Sequence, residues 1–370
     1  MITGYRRIKK ERLQFGTKIN DLFAEGRHTF KISLIFSVII SALAVFFGIV
    51  LSFETILVLI VVMMVLSITG RTNLLSASYT IGFTFILLIL LPFVQLEQLS
   101  DFVSFQNITA VHLICLAILT GLLLLVEAML IGSAKHRQTF PHMEISQRGV
   151  WIGAHLLKRL AFIPFLILLP TDNVGGIVPL WPYFEYGEQT FSLVLLPFFI
   201  GYQYNVRGEL PEKAAQRLGQ TTLLVSLVVL LCAIGSLFLP ILSFVAIMIA
   251  IVGKEWMTYR HRMNDSREKA YFQPLQKGVK VLAIIPDSPA DRLGILVGET
   301  ILKVNGTMVT NSSQFYEALQ NSGAFFKLDI LDYNGEIRFV SSAFYEEDHH
   351  ELGLIFPESP FYEPIEKLAE

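Results

Sequence analysis

Long apolar runs occupy the first two thirds of the chain, and short alternating runs occupy the last third. An apolar helix of about 20 residues can cross the hydrocarbon layer of a bilayer. Four runs approach that length, and four more are shorter or less uniform. The pattern predicts about eight membrane-spanning helices, at Ile32–Leu51, Phe53–Ile68, Leu74–Val94, Ile108–Ile131, Leu160–Leu180, Phe191–Tyr204, Thr221–Phe238 and Pro240–Trp256.

The basic residues indicate the direction of these crossings. Cytoplasmic loops of membrane proteins are rich in Lys and Arg. When the N-terminus is placed inside, all 17 Lys and Arg of residues 1–253 fall in segments assigned to the inside. The same rule places Arg217 and Lys254 on the same side, which favours two helices with a turn at Pro240 over one kinked helix. The predicted topology has both termini in the cytoplasm.

The composition fits a membrane domain joined to a soluble one. Hydrophobic residues make up 53% of the chain and charged residues 16%, against about 25% charged residues in soluble domains. Residues 1–253 carry a net charge of +4 and residues 254–370 carry −6. These values exclude a freely soluble enzyme, and the acidic C-terminal part disfavours nucleic acid as a partner. Cys115 and Cys232 lie in apolar runs and are interpreted as core residues rather than as a disulfide.

Few ionisable residues lie inside the predicted spans. Glu127 lies close enough to the inner end of its helix for its carboxylate to reach the interface, and His112 lies one turn inside the opposite end of that helix. Both are interpreted as structural. The H-E-x-x-H pattern of zinc proteases, the G-x-S-x-G serine elbow and the G-x-x-x-x-G-K-[ST] phosphate loop do not occur in the sequence. No catalytic residue, metal or cofactor is therefore expected.

Short strands and turns replace the long apolar runs in the C-terminal part. Residues 254–277 are polar and predict an extension of the last helix and a linker, which is assigned to residues 257–277. Ser288 followed by proline is a helix-start signal, and Asn305-Gly306 is a hairpin signal. The pattern predicts a very short helix after Ser288, an amphipathic helix at Asn311–Ser322, and strands at Val279–Ile285, Thr300–Val304, Phe325–Leu331 and Glu336–Ser342.

From Gly278 the chain reads G-V-K-V-L-A-I-I-P-D-S-P-A-D-R-L-G-I-L-V-G-E-T-I-L-K-V-N-G. This run resembles the PDZ domains of bacterial proteins, and the resemblance covers residues 278–356. It implies a small domain that binds an extended peptide as an added strand. Leu352, Gly353 and Leu354 match the loop whose backbone N–H groups hold the peptide carboxylate, and Ile355 begins the receiving strand. Because this motif comes last, the domain is predicted to be circularly permuted.

The opposite wall of the predicted groove is the amphipathic helix, through Phe315 and Leu319. These two residues fit a hydrophobic core equally well, because core and groove share one face of the helix. The Leu352-Gly353-Leu354 run likewise fits a closing strand with a glycine bulge. The sequence leaves both alternatives open.

Two further stretches extend the resemblance to the whole chain. They are the N-terminal run G-Y-R-R-I-K-K-E-R-L-Q-F-G-T-K-I and the segment from Gln147 to His155, and they are similar to the MinJ family of Gram-positive division-site proteins. The resemblance implies a multi-pass adaptor of the cell membrane, enriched at septum and poles, that links the scaffold DivIVA to the division inhibitors MinC and MinD. Other septal proteins, peptide C-termini, internal extended segments and the lipid bilayer are the further partners implied.

The predicted fold class is an α-helical polytopic membrane domain followed by a small, circularly permuted α+β PDZ domain. Two alternative functions stay open: a PDZ-gated intramembrane protease or its regulator, and a transporter with an accessory PDZ domain. The missing protease motifs and the few buried polar residues count against them. The predicted organisation is a basic cytoplasmic segment 1–31, a transmembrane domain 32–256, a linker 257–277, a cytoplasmic PDZ domain 278–356 and a tail 357–370.

Overall fold

The computed structural model describes residues 2–358, apart from residue 28 and residues 94–108, 136–137, 147, 172–182, 187–188, 324 and 344–351. Most of the predicted tail therefore lies outside the described residues. The helices are α1 (Ile2–Phe15), α2 (Ala24–Arg27), α3 (Phe30–Phe46), α4 (Phe53–Ile68), α5 (Ala77–Leu90), α6 (Ala110–Gly132), α7 (Pro211–Gly235), α8 (Ile241–Arg267), α9 (Pro289–Arg292) and α10 (Ser312–Gln320). The strands are β1 (Phe140–Ile145), β2 (Trp151–Pro170), β3 (Tyr183–Tyr186), β4 (Gln189–Val206), β5 (Val279–Lys280), β6 (Ala283–Ile284), β7 (Thr300–Val304), β8 (Thr307–Met308), β9 (Phe325–Leu331), β10 (Ile337–Ala343) and β11 (Leu354–Ile355).

The helices α3 to α8 are apolar. Within the described residues, α6, α7 and α8 are long and apolar enough to cross a membrane, and α3, α4 and α5 are shorter. The chain turns between Gly235 and Ile241, so α7 and α8 are two separate helices. The Thr222 hydroxyl of α7 contacts the Met257 sulfur of α8 at 3.1 Å. Because Thr222 precedes the turn by about as many residues as Met257 follows it, the two helices run antiparallel.

The predicted helices at Leu160–Leu180 and Phe191–Tyr204 are wrong. Over the described parts of both runs the structure has long strands instead, β2 and β4, which pair antiparallel. Residues 172–180 of the first run lie outside the described residues. These strands form the centre of a four-stranded sheet in the order β1-β2-β4-β3. The membrane-associated part of the chain is therefore not purely helical.

Proline positions account for this difference. Pro164 and Pro197 face each other across the β2–β4 ladder, and either would cost a helix interior about 3 kcal/mol. The Leu166 N–H points away from β4 and donates to Ser41 Oγ at 2.9 Å. Main-chain groups two residues apart point the same way along a strand. Pro164 therefore occupies a position whose N–H takes no part in the ladder, and β2 loses no ladder hydrogen bond.

Helix α3 covers the outer edge of β2. In addition to the Ser41 contact, the Thr29 hydroxyl before α3 donates to the Leu160 oxygen at 3.2 Å, and Leu168 exchanges main-chain hydrogen bonds with the segment after α3. An open strand edge is not tolerated in hydrocarbon unless protein covers it. From Leu160 to Pro170 the strand measures about 33 Å, close to the roughly 30 Å thickness of the hydrocarbon layer. Strand β2 therefore has a length close to that of the hydrocarbon layer and an outer edge that is covered by α3.

The N-terminal segment packs on the sheet. Helix α1 lies along β1, where the Gln14 side-chain amide donates to the Met143 oxygen at 2.8 Å and accepts from the Met143 N–H at 3.0 Å. The buried Lys158 of β2 pairs with Glu25 of α2 at 3.2 Å. Residues 1–31, predicted only as a basic segment, thus cover the free edge of β1.

The C-terminal residues fold as a small α+β domain. One sheet has the order β10-β9-β7-β5 with β8 paired to β7, and β11 pairs with β6. The Asn305-Gly306 turn has φ values of 46° and 84°, as a type I′ hairpin turn requires. The predicted strand Val279–Ile285 is divided into β5 and β6. Helix α8 continues to Arg267, so the predicted helix extension is confirmed, and the predicted start of the linker at residue 257 is too early.

Candidate functional site

The candidate peptide site is the edge of β11 that faces α10. On the other edge, which pairs with β6, the Ile285 N–H donates to the Gly353 oxygen at 2.9 Å and the Leu282 N–H donates to the Ile355 oxygen at 2.7 Å. Main-chain groups alternate in direction along a strand, so Leu354 presents its groups to the opposite edge. A peptide strand that extends a sheet adds at such an edge.

Tyr316 of α10 closes this edge. Its hydroxyl donates to the Leu354 oxygen at 3.1 Å, in the place that a peptide N–H would take. Its ring lies 6.3 Å from that of Phe356, which in turn lies 5.2 Å from the Phe315 ring. The groove is therefore filled by side chains of the domain itself. The sequence prediction missed Tyr316, although a residue next to Phe315 lies only about 100° around the helix, at the border of its buried face.

The sequence-predicted helix residues lie in the core of the C-terminal domain. Phe315 and Leu319 are 0% and 2% exposed, and they pack in one cluster with Leu352 and Leu354. Ile355 packs in a separate cluster that is shared with the rest of the chain. The structure thus brings the predicted residues together, but they form the floor beneath the groove rather than its open walls.

Gly353 has a packing requirement of its own. Its φ of 78° is a conformation that glycine adopts without strain. A Cβ atom at this position would lie 2.6 Å from Ser288 Oγ and still closer to Ser288 Cβ. The neighbouring Leu352 oxygen accepts from the Ala290 N–H at 3.0 Å, which holds the loop against the start of α9. The fold alone therefore explains a glycine here, independently of any bound carboxylate.

The chain after β11 binds the first turn of α10. The Ser312 N–H donates to Glu358 Oε1 at 2.5 Å, and the Ser312 hydroxyl donates to Glu358 Oε2. A carboxylate is favourable at a helix N-terminus because the free N–H groups and the helix dipole both attract negative charge. Glu358 therefore fastens the end of the described chain to the helix that forms one side of the candidate site.

The C-terminal domain is docked on the four-stranded sheet. The Gly153 N–H of β2 donates to the Phe272 oxygen at 2.8 Å, and the His155 Nε2–H donates to the Leu282 oxygen at 3.0 Å. The side chains of Phe272, Leu282 and Ile355 share a buried cluster with a residue of β1. The candidate site is consequently held in a fixed position relative to β1 and β2.

The buried Glu127 has a partner, so the expectation that its carboxylate reaches the interface is wrong. The side chain is fully buried and forms an ion pair with Lys254 of α8. Glu127 Oε2 also accepts from the Ser76 hydroxyl at 2.7 Å and from the Ala77 N–H at 3.3 Å, at the start of α5. One carboxylate thereby joins α5, α6 and α8.

The ionisable groups of the C-terminal domain support its fold. The buried Glu299 pairs with Arg338 at 2.6 Å. Burial raises the pKa of Tyr333, whose hydroxyl donates to the Val297 oxygen. In the part of the chain that the structure describes, no group of three or more His, Cys, Asp or Glu side chains is placed to hold a metal ion.

Comparisons with known proteins identify part of the C-terminal domain and find relatives over most of the chain. A family model described as a PDZ domain matches residues 280–328. The chain is 33% identical over 353 residues to the cell division topological determinant MinJ of Bacillus subtilis (strain 168), which covers 95% of this chain and 88% of that protein. It is 24% identical over 259 residues to a probable cell division topological determinant MinJ of Lacticaseibacillus paracasei, which covers 67% of each chain.

Proposed function

The chain belongs to the MinJ family of cell division topological determinants, and from that premise we propose that it is a membrane-anchored adaptor that recruits division regulators. The observation that carries this proposal is the 33% identity over 95% of the chain to a division determinant. The PDZ domain supplies a module of a type that binds peptides. The apolar helices supply the anchor.

In the proposed topology both ends of the membrane domain face the cytoplasm. The helices α3 to α8 account for six crossings, and the β2–β4 hairpin adds two in extended form beside α3. Basic residues support this arrangement, because Arg71 between α4 and α5, Arg148 in the β1–β2 turn and Arg207 before α7 lie at ends of the crossings that the proposal assigns to the cytoplasm. The number of crossings stays at about eight, with two of them changed from helix to strand.

The proposed peptide site is the β11 edge. A peptide would pair with the main chain of Leu354 and displace the Tyr316 hydroxyl that now occupies its oxygen. The Gly353 loop would receive the peptide terminus. The residues proposed to form the site are Tyr316, the main chain of Gly353, Leu354 and Ile355, and a floor of Leu352, Phe315 and Leu319.

The proposed partners are the scaffold DivIVA on one side and MinD, with MinC, on the other. An adaptor that binds both would hold the inhibitor at septum and poles and keep new division sites away from them. This assignment rests on the family and on the peptide-binding class of the PDZ domain. It requires no catalytic residue in the chain.

Localisation tests the family role. A fluorescent fusion that replaces the native copy in a rod-shaped Gram-positive host is expected to concentrate at septa and poles, and deletion of the protein is expected to give longer cells. Fluorescence microscopy measures both. A uniform membrane signal together with normal cell length would contradict the proposed role in division.

Replacing Tyr316 with phenylalanine tests the groove. Loss of the hydroxyl removes the hydrogen bond that competes with a peptide, so binding of C-terminal peptides from DivIVA or MinD should become about two- to tenfold tighter, since such a bond is worth about 0.5–1.5 kcal/mol. Calorimetry on the full-length protein in nanodiscs measures the affinity.

Tyr333→Phe is the matched control for this variant. It removes a hydroxyl that donates to the Val297 oxygen elsewhere in the same domain, and it should leave the affinity unchanged. Equal affinities for the native protein and both variants would place the peptide away from β11. No binding of any of these peptides would contradict the proposed partners.

A further inference from the structure

A basic cleft opens where the β1–β2 turn and the end of β4 meet the end of α8. Its volume is about 510 Å³. Arg148 lines it from the turn, Arg207 from just after β4, Arg267 from the end of α8 and Lys269 from the segment after α8. Glu268 is the acidic residue among its described lining. Arg207 has carboxylate partners of its own, so three further positive charges stand against the one negative charge of Glu268.

Arg207 forms the fixed back wall of this cleft. Its guanidinium lies 3.4 Å from Glu144 Oε1 and 3.4 Å from Asp265 Oδ2. The nearby His142 side chain and a hydrogen bond from the Asn205 amide at 2.9 Å lower the pKa of Glu144 to about 2, so Glu144 is ionised at neutral pH. Glu144 and Asp265 lie on two sides of the Arg207 guanidinium and fix its position in the wall.

The other three cations have no such partners. Arg148, Arg267 and Lys269 are exposed, and none of them forms an ion pair with any residue that the structure describes. Like charges held close together without counter-ions attract an acidic ligand. The guanidinium groups also offer the forked donors that suit carboxylates.

We propose that this cleft docks a short acidic segment of a partner protein. Its volume falls within the range of roughly 300–1,000 Å³ found for ligand pockets, which admits a few acidic side chains and excludes a folded domain. The cleft is separate from the β11 edge, so the adaptor has a second docking surface whose ligand is chosen by charge rather than by strand pairing. The walls come from the β1–β2 turn, the residue after β4, the end of α8 and the segment that follows α8, so the surface exists only where α8 and that segment pack on the sheet.

The position of the cleft along α8 favours protein over lipid. Trp256 is an aromatic residue of the kind found at membrane interfaces, and Arg267 follows it by about 16 Å along the helix. The headgroup layer of a bilayer is only roughly 5–8 Å thick on each side. Lipid headgroups at the level of Trp256 therefore do not reach the cleft.

Fluorescence anisotropy with a labelled oligoglutamate peptide tests the proposal on the full-length protein in phosphatidylcholine nanodiscs. The variant Arg148→Glu/Arg267→Glu/Lys269→Glu should weaken binding by about tenfold or more, because three favourable charge contacts become repulsive. The control Lys9→Glu/Arg12→Glu/Lys277→Glu makes the same change in net charge at exposed positions outside the cleft, and it should change the affinity by less than about twofold.

Three results would overturn the proposal. Equal weakening in both variants would mean that the peptide responds to net charge alone, and unchanged binding in the cleft variant would mean that it binds elsewhere. A stronger, cleft-dependent affinity for anionic lipid vesicles than for the peptide would identify a lipid site instead. A midpoint temperature of thermal unfolding equal to that of the native protein would verify that neither variant is misfolded.

Discussion

Replacing Lys254 with methionine is expected to lower the free energy of unfolding of the helical domain by about 3–5 kcal/mol. The side chains of Glu127 and Lys254 are 0% and 3% exposed. Removal of the lysine leaves a carboxylate buried among α5, α6 and α8 with no counter-ion. The remaining donors, the Ser76 hydroxyl and the Ala77 N–H, carry no full charge and do not compensate for it. Thermal unfolding of the purified protein in detergent measures the loss.

The double variant Glu127→Gln/Lys254→Met is the control. Removing both charges of a buried pair is often close to neutral, whereas removing one is strongly destabilising. The glutamine can still accept from the Ser76 hydroxyl. We therefore expect the double variant to recover most of the lost stability. A single variant as stable as the native protein would mean that water or another cation reaches Glu127.

The substitution Gly353→Ala is expected to destabilise the PDZ domain by about 2–5 kcal/mol. Its φ of 78° costs a residue with a Cβ about 1–2 kcal/mol. The new methyl group would also press on Ser288, with Oγ at 2.6 Å, and such overpacking costs about 1–3 kcal/mol. Hydrogen exchange at the Leu282 and Ile285 amides, which hydrogen-bond to this loop, reports the loss directly.

Gly335→Ala separates the two causes. Gly335 has nearly the same φ, 82°, but nothing lies within 4 Å of a Cβ at that position. The Gly335→Ala variant should therefore lower the free energy of unfolding only by the backbone cost of about 1–2 kcal/mol. Equal losses at both glycines would show that Ser288 yields to the methyl group. A bulkier change such as Gly353→Glu would meet the same contact, so failed partner capture in that variant would not by itself identify a carboxylate site.

Elements that depend on neighbouring residues were predictable from the sequence. Strands Thr300–Val304 and Phe325–Leu331 follow from alternation and flanking turns, and Asn311 caps α10 as its side chain suggests. The helix Phe53–Ile68 likewise coincides with its apolar run. In each case the residues that decide the structure lie within a few positions of it.

Contacts between distant segments were not predictable in this way. An apolar run has similar composition whether it forms a helix or a buried strand, and β2 is a strand because β4 and α3 complete its hydrogen bonds. One of these bonds joins Leu166 to Ser41, 125 residues away. In the sequence, Pro164 and Pro197 were the available signal that these two runs are not helices. The Tyr316 contact with Leu354 and the Glu127–Lys254 pair also depend on the tertiary arrangement, which no local pattern contains.

The β2–β4 hairpin has a consequence for the biosynthesis of this protein. A helix completes its backbone hydrogen bonds as it leaves the insertion machinery, whereas β2 cannot do so until β4 has been made. Helix α3 is synthesised earlier and already carries Ser41, which accepts from the free edge of β2. In the proposed topology β2 and β4 would therefore enter the bilayer together, against an α3 already in place. Assembly of the membrane domain would then depend on the pairing of two strands that are separated in order of synthesis.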